Sequence, residues 1–314
     1  MRKIPGSIAA IVFALSPVTG ARAVQSPCTH TVVGDLRLDS LRSTTYGDQR
    51  TIRVWLPPGY DAAENARTRY PALYMFDGQT LFDACTAFAG EGELRLDETA
   101  TRLIAERKIP AMIIVGMDSS SKRGFEYSVY SDTISNPSAP EPIGKQLPGF
   151  VATEVMPYVA SRYRASSDPR ETGIGGASLG GLAALYVLLQ RPDVFGIGLL
   201  ESVTVPLGNG QLLRDTENLG RGPDRIYVGV GTHELVGPMA ERFATQTRLS
   251  IDTANAGLVQ MTEILVDYLK NSHLNRPEVT FVVDRNASHN ATSWQRRLPN
   301  ALTVLYDPIV RNVR

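Results

Sequence analysis

Short apolar runs alternate with amphipathic helical patterns along most of the chain. Two early segments, Leu36–Leu41 and Thr51–Leu56, alternate apolar and polar residues with a period of two, which predicts an antiparallel pair of strands. The later apolar runs are continuous, as expected for parallel strands that are buried on both faces. These runs are Leu73–Phe76, Met112–Val115, Thr172–Gly176, Gly196–Leu200, Ile226–Val230 and Val279–Val283.

Helical patterns separate these runs. Apolar residues at helical spacing predict helices over Leu94–Arg107, Phe150–Tyr163, Leu179–Leu189, Leu258–Leu269 and Trp294–Leu305. Strands that alternate with helices indicate the α/β class, with a mostly parallel central sheet and helices on both faces. Functional side chains in such sheets gather at the carboxyl ends of the strands. Because the sequence has no internal repeat and no Gly/Ser-rich linker, we expect one domain.

The first residues have the pattern of a secretory signal peptide. Met1–Lys3 is positively charged, Ile8–Leu15 is an apolar run, and Ala21–Ala23 is a cleavage site of the small-x-small type. The apolar run is too short to span a bilayer, and Pro17 interrupts it. We therefore predict a signal peptide over residues 1–23, a single domain over residues 24–314, and a periplasmic or secreted protein with no membrane span.

Composition and charge indicate which classes of molecule the protein can bind. The chain has 32 basic and 32 acidic side chains, and a chain starting at residue 24 keeps 29 basic and 32 acidic ones. No basic excess is present to hold a polyphosphate, so nucleic acid is an unfavourable partner and a small-molecule site is favoured. No Cys/His cluster has the spacing of metal ligands, so no metal is expected.

The sequence contains two cysteines, Cys28 and Cys85. An oxidising compartment favours disulfides, and two thiols allow only one pairing. We therefore expect a Cys28–Cys85 disulfide that pins the N-terminal segment to a loop near residue 85. Two unpaired thiols are the alternative.

The strongest local motif is Gly176–Gly181, with the sequence GASLGG, between a predicted strand and a predicted helix. This is Gly-x-Ser-x-Gly in the context of a nucleophile elbow. Glycines allow the sharp turn, which lifts the Ser178 hydroxyl clear of the sheet. The turn also directs the Leu179 backbone N–H, at a helix N-terminus, toward a reacting carbonyl. A glycine-rich turn with a capping serine is the alternative.

A serine hydroxyl needs a base to act as a nucleophile. Four histidines are present, and His289 follows the last predicted strand in a short loop before a helix. The base of an elbow fold comes last in the chain, so we assign this role to His289. A loop histidine that caps the helix at Trp294 is the alternative.

The imidazole needs a carboxylate partner. Glu234 follows the strand Ile226–Val230 and is our first candidate, and Asp284 is the runner-up because it shares the predicted loop of His289. His233, next to Glu234, is either a substrate contact or a solvated loop residue. No organic cofactor is required by this set of residues.

The second donor to an oxyanion should come from the loop after the third strand, Phe76–Thr80. Gly78 lets the backbone approach the tetrahedral intermediate, and we assign the donor to the Gln79 N–H. Asp77 is expected to hold this loop by accepting backbone N–H bonds.

These residues together resemble the putative-esterase (esterase D-like) family of α/β-hydrolases, over nearly the whole chain after residue 23. The motifs that carry the resemblance are Leu56–Tyr60 (LPPGY), Tyr70–Gln79 (YPALYMFDGQ), Met156–Tyr158 (MPY), Gly176–Gly181, and His289 followed by Trp294 and Leu298-Pro299. The resemblance implies an α/β-hydrolase fold, with Ser178 as nucleophile, His289 as base and an acid after the strand that precedes Glu234. The family often has Met where this chain has Leu179, and Asp near the position of Glu234.

The resemblance implies a serine esterase that hydrolyses a carboxylic ester through an acyl-enzyme, and the predicted signal peptide adds that this esterase is exported. Relatives in the family act on feruloyl or acetyl esters of carbohydrates or on siderophores, so a small-molecule or glycan ester is the expected substrate. Two alternatives stay open at this point. An acyltransferase would use the same three residues with an alcohol acceptor, and a ligand-binding protein would keep the scaffold without catalysis.

Overall fold

The computed structural model describes residues 28–88, 92–131, 141–208, 210–216, 220, 222–237, 240–241, 244–245, 248–271 and 275–307. The predicted signal peptide, residues 1–23, lies outside the described residues. No helix in the described ranges is both long enough and apolar enough to cross a membrane.

The described residues form an eight-stranded sheet with the order β1-β2-β4-β3-β5-β6-β7-β8. The pairs β1–β2 and β2–β4 are antiparallel, and all the other pairs are parallel. The strands are β1 (Asp35–Arg42), β2 (Gln49–Leu56), β3 (Ala72–Phe76), β4 (Ile113–Met117), β5 (Thr172–Ala177), β6 (Ile197–Glu201), β7 (Arg225–His233) and β8 (Glu278–Ser288). The mostly parallel α/β sheet predicted from the sequence is therefore confirmed.

Helices connect the parallel strands. They include α1 (Leu96–Ala105), α2 (Arg123–Tyr127), α4 (Leu179–Gln190), α5 (Gln211–Asp215), α6 (Ile251–Asn271) and α7 (Ala291–Tyr306). The segment α3 is continuous and consists of Leu147–Gly149, a π-helical stretch Phe150–Val155, and Met156–Arg162.

The central strands are buried on both faces, which explains their continuous apolar runs. In β3, Tyr74 and Phe76 join the core that covers one face of the sheet, where the apolar helix α4 packs. Leu73 and Met75 alternate with them and join the second core, which includes residues of α1 and α7. Because successive side chains point to opposite faces, one apolar run supplies both cores.

The sheet extends further than the apolar pattern predicts at one edge. Strands β7 and β8 continue to His233 and Ser288, whereas the apolar runs end at Val230 and Val283. Parallel pairing carries on through a register shift between Gly231 and His233, so backbone hydrogen bonds hold these polar residues in the ladder. Asp284 accordingly lies within a strand and not in a loop with His289.

Candidate active site

A strained turn presents Ser178 at the carboxyl end of β5. Ser178 has φ 58° and ψ −124°, and α4 begins at the next residue. Glycines make this turn possible, since a Cβ at Gly176 would lie 2.4 Å from the Gly180 carbonyl oxygen. A Cβ at Gly180 would lie 2.7 Å from Asp77 Oδ2. The geometry is that of a sharp strand-to-helix turn whose serine stands clear of the sheet.

Ser178, His289 and Glu234 are linked by two short hydrogen bonds. His289 Nε2 lies 2.8 Å from Ser178 Oγ, and His289 Nδ1 lies 2.6 Å from Glu234 Oε2. The three residues come from the ends of β5, β8 and β7. Hydrogen bonds in this order can pass the hydroxyl proton to the imidazole while the carboxylate stabilises the positive charge that forms there.

The Glu234 carboxylate is buried and fully engaged. Its Oε1 accepts hydrogen bonds from the Ser202 hydroxyl at 2.8 Å and from the Gly231 N–H at 2.6 Å. Burial raises the pKa of Glu234, but the hydrogen bond and charge of His289, with the Gly231 and Ser202 donors, outweigh it and bring the pKa below its usual value. Glu234 is therefore ionised at neutral pH.

The structure places Asp284 and His233, the other candidates at this edge of the sheet, away from the hydrogen-bonded series of Ser178, His289 and Glu234. Asp284 Oδ2 accepts from Arg296 at 2.7 Å and from Arg297 at 3.3 Å. His233 is exposed, and its Nδ1 lies 3.1 Å from the hydroxyl of the adjacent Thr232. Neither residue contacts His289 through a hydrogen bond that the structure records in its described part.

The loop after β3 forms a tight turn against β4. Asp77 has a left-handed φ of 59° and is followed by a 3₁₀ turn over Gly78–Thr80. A Cβ at Gly78 would lie 2.6 Å from the Gly116 carbonyl carbon, so only glycine allows this approach. The N–H groups in the first turn of a helix have no intrahelical acceptor, which leaves the Gln79 and Leu179 N–H groups as donors.

Side chains hold this loop in place. The Gln79 side chain exchanges two hydrogen bonds with Ser119, at 2.6 and 3.0 Å. The Thr86 hydroxyl donates to the Gln79 carbonyl oxygen at 2.6 Å. Asp77 was expected to accept backbone N–H bonds, but its carboxylate instead accepts two bonds from Arg123, at 2.6 and 2.7 Å. A bidentate guanidinium is the stronger partner for a carboxylate.

A group of buried polar side chains, which the sequence did not predict, lies next to the series of Ser178, His289 and Glu234. Its members are Ser202, Trp294, Arg297 and Glu201. The Trp294 indole N–H donates to Ser202 Oγ at 2.9 Å, and the ring packs edge-on against His289 with 5.3 Å between ring centroids. Arg297 donates to Glu201 Oε2 at 2.7 and 2.9 Å. Burial, opposed by Arg297, raises the pKa of Glu201 to about 7. The sequence motif marks Trp294 only as a residue that follows His289, and nothing in the sequence marks the other residues.

Cys28 and Cys85 form a disulfide with their Cα atoms 5.5 Å apart. Among the residues that the structure describes, the one group with metal-ligand proximity is His30, Asp83 and Cys85. Because the Cys85 sulfur is bonded to Cys28, this group offers only two free ligands, and His30 Nδ1 already contacts Asp83 Oδ2 at 2.6 Å. The group serves as a tie for the N-terminal segment.

An open pocket of about 440 Å³, its mouth included, lies beside His289. Its ionisable members, Glu234 and His289, are paired with each other. Most of the remaining wall consists of aliphatic side chains from the ends of β6 and β7 and from α6, namely Val203, Val205, Val230, Leu235 and Leu258. The pocket therefore offers a mainly apolar surface next to the Ser178–His289 pair.

Comparison with known proteins identifies relatives of low identity. A Bacillus subtilis (strain 168) protein named as uncharacterized protein YbbA is 22% identical over 263 residues, which is 82% of this chain and 92% of YbbA. The endo-1,4-beta-xylanase/feruloyl esterase of Xylanibacter ruminicola is 26% identical over 205 residues. That match covers 64% of this chain but only 25% of the relative's length.

A solved structure shares the fold. The siderophore hydrolase EstA from Aspergillus nidulans superposes with a TM-score of 0.65 at 17% identity, covering 90% of this chain and 99% of EstA. With the eight-stranded, mostly parallel sheet, this likeness establishes the α/β-hydrolase fold. Residues 43–305 match the family model described as "Putative esterase", and the chain therefore belongs to that esterase family.

Proposed function

We propose that this protein is a serine carboxylic ester hydrolase in which Ser178 is the nucleophile, His289 the general base and Glu234 the acid. One observation carries the proposal: the continuous hydrogen-bonded series from Ser178 Oγ through His289 to Glu234, at 2.8 and 2.6 Å. Membership of the esterase family supports ester hydrolysis as the reaction class.

The reaction proceeds in two half-reactions. Ser178 Oγ bonds to the ester carbonyl carbon as its proton passes to His289 Nε2, and the bond to the alcohol oxygen then breaks as that proton passes to the leaving alcohol. Water next gives a proton to His289 and bonds to the acyl carbon. Ser178 Oγ leaves and takes the proton back, which releases the carboxylic acid.

The oxyanion of each tetrahedral intermediate is held by two backbone donors. The Leu179 N–H stands at the start of α4, and the Gln79 N–H lies in the tight turn that Gly78 makes possible. Losing one such donor costs about 10²–10³ in kcat, so the positions of these two turns affect rate as strongly as a side chain does.

The substrate is an ester with a mainly apolar group next to the reacting carbonyl. The aliphatic pocket beside His289 supports this, and two relatives are named for feruloyl ester and siderophore hydrolysis. The chain is exported after cleavage behind Ala23, and the Cys28–Cys85 disulfide fits an oxidising compartment. Mass spectrometry of the protein from its own host should give Val24 as the first residue.

Hydrolysis of p-nitrophenyl acetate tests the nucleophile. Ser178→Ala should lower kcat/KM by about 10⁴-fold or more, because the remaining residues have no atom to form the acyl-enzyme. Ser161→Ala, which removes an exposed serine hydroxyl on α3, is the matched control and should leave the rate unchanged. Equal activity of Ser178→Ala and the wild-type protein would contradict the proposal. A fluorophosphonate reagent should add its mass to the peptide that contains Ser178 only.

A further inference from the structure

Three neighbouring strands end in a strained polar residue. Asp77 after β3, Ser178 after β5 and Ser202 after β6 have φ values of 59°, 58° and 46°, a region that residues other than glycine rarely adopt. The strands β3, β5 and β6 are adjacent in the sheet. Strained backbone that is kept in a fold concentrates at functional sites. Asp77 and Ser178 already have places in the proposed site, whereas Ser202 has none.

The hydrogen bonds of Ser202 fix where its hydroxyl proton points. The side chain is buried, and Oγ lies 2.9 Å from Trp294 Nε1 and 3.4 Å from Arg297 Nη2. The indole N–H and the guanidinium are donors only, so both must donate to Ser202 Oγ. The single hydroxyl proton is then left for the Glu234 carboxylate, whose Oε1 lies 2.8 Å away.

This donation sets the orientation of the carboxylate. Oε1 of Glu234 is occupied by the Ser202 hydroxyl and the Gly231 N–H, which turns Oε2 toward His289 Nδ1. Trp294 contacts the residues on both sides of Glu234 in this series. Its ring packs against His289, and its N–H donates a hydrogen bond to Ser202.

The donor to Glu234 is an uncharged hydroxyl, although the charged guanidinium of Arg297 lies beside Ser202. This difference affects the negative charge that Glu234 can offer to His289. Arg297 pairs with Glu201 and, more loosely, with Asp284, so its guanidinium is bound to those carboxylates. A guanidinium directly on Glu234 would cancel the negative charge that stabilises a protonated imidazole. A hydroxyl holds the carboxylate in place and leaves most of that charge available. Glu201 and Arg297 interact electrostatically with Glu234, and Asp284 interacts with both Glu201 and Arg297.

We propose that Ser202, with its hydroxyl held by the Trp294 indole N–H, is a positioning residue that directs Glu234 onto His289. The inference rests on the proposed function and adds a member to the same site. Ser202 acts through Glu234 and takes no part in bond making.

Two substitutions remove the hydroxyl with opposite effects on the backbone. Ser202→Ala keeps the unfavourable left-handed conformation, whereas Ser202→Gly relieves it and so favours folding. Both should lower kcat/KM for p-nitrophenyl acetate by about tenfold, the factor that corresponds to one net hydrogen bond. Both should also move the acidic limb of the pH profile of kcat/KM to lower pH. A carboxylate that is no longer directed onto His289 Nδ1 stabilises the imidazolium less.

A double-mutant cycle tests the path through Trp294. Trp294→Phe should lower kcat/KM in the wild-type background but have little further effect in Ser202→Gly, because the indole N–H then has no hydroxyl to hold. The control is Thr172→Val, which removes a buried hydroxyl hydrogen bond at the opposite end of β5. It should lower Tm and leave kcat/KM and its pH profile unchanged.

The outcomes separate this inference from the proposed function. Wild-type activity and pH profile in Ser202→Gly, with Ser178→Ala inactive, would overturn the role of Ser202 alone. Additive losses in the Ser202/Trp294 cycle would also overturn it. Full activity in Ser178→Ala would overturn the proposed function itself. A loss in both Ser202 variants, a shifted acidic limb and a non-additive cycle together would establish the role.

Discussion

At the scale of single residues, Glu234 and Asp284 differ in their hydrogen-bond partners. Glu234 contacts His289 and two neutral donors, whereas Asp284 pairs with the guanidinium groups of Arg296 and Arg297. A carboxylate that neutralises arginine has less charge to offer an imidazolium. The structure thus gives the two acids separate tasks, one at the proposed proton relay and one in an ion-pair network.

Exchanging each acid for its amide tests this division. Glu234→Gln should lower kcat/KM by about 10²–10⁴-fold, because the amide neither fixes the imidazole tautomer nor stabilises its positive charge. Asp284→Asn should keep kcat/KM within a few-fold and lower Tm, since it weakens two ion pairs. Steady-state kinetics and thermal unfolding of the matched pair measure both effects. The reverse pattern would move the role of the acid to Asp284.

The sequence predicted Ser178, His289 and Glu234 of the candidate site but gave no signal for Ser202. Ser178 stands in a motif, and His289 and Glu234 follow predicted strands in the chain order of an elbow fold, so position alone pointed to them. Ser202 lies 32 residues from Glu234 and 92 residues from Trp294, and no motif surrounds it. Its contacts arise from the order of strands in the sheet, which local patterns do not encode.

At the scale of elements, one glutamate connects the β1–β2 turn to the π-helical stretch of α3. Glu154 accepts hydrogen bonds from the backbone N–H and hydroxyl groups of both Thr44 and Thr45, at 2.6 to 3.1 Å. Burial opposes ionisation, but the threonine and Ser43 donors outweigh it and lower the pKa of Glu154 to about 2. The ionised carboxylate of Glu154 therefore holds the β1–β2 hairpin, at the edge of the sheet, against α3.

Substituting Glu154 should make the stability of the protein less dependent on pH. The folded-state pKa is below the value of 4.5 expected on unfolding, so the stabilisation is full above about pH 4.5 and is lost as pH falls toward 2. Glu154→Gln should lower the free energy of unfolding by about 1–2 kcal/mol at pH 7, and the difference should shrink in acid. Urea unfolding between pH 3 and pH 7 measures it.

The exposed Glu64 is the control for that experiment, because it lies in a short 3₁₀ turn without buried neighbours in its element. Glu64→Gln should match the wild-type protein at each pH. A constant difference between Glu154→Gln and the wild-type protein across the whole range would contradict the assigned ionisation.

Most elements were predictable, because strands buried on both faces and amphipathic helices leave distinct patterns. The ends of β7 and β8 were not. Their last residues, such as Thr232 and Asn286, are polar and partly exposed, and they extend the strands through backbone pairing and a hydrogen bond from the Asn286 N–H to the Thr232 hydroxyl. Pairing of this kind depends on the neighbouring strand and leaves no apolar signal.

At the scale of the whole molecule, the N-terminal segment is tied across residues 83–97. His30 contacts Asp83, the Thr31 hydroxyl donates to Glu93, and the Val33 N–H donates to Asp97. The Cys28–Cys85 disulfide closes this segment over a sequence separation of 57. A cross-link of this length removes many conformations from the unfolded chain.

Removing the disulfide should destabilise the fold. The double substitution Cys28→Ser and Cys85→Ser should lower the free energy of unfolding by about 2–4 kcal/mol. Thermal unfolding of the wild-type protein with and without reductant should show the same loss. The double variant provides the control, because reductant should leave its Tm unchanged; a wild-type Tm that does not respond to reductant would contradict the prediction.

The hydroxyl that holds the Gln79 carbonyl belongs to Thr86, the residue directly after Cys85. The disulfide and the proposed oxyanion donor are thereby connected through one short stretch of backbone. A reduced chain lacks this cross-link beside the turn that carries the Gln79 amide, so we expect the turn to be less restrained there. Esterase activity should therefore rise as the newly made protein matures, in step with the oxidation of its two thiols.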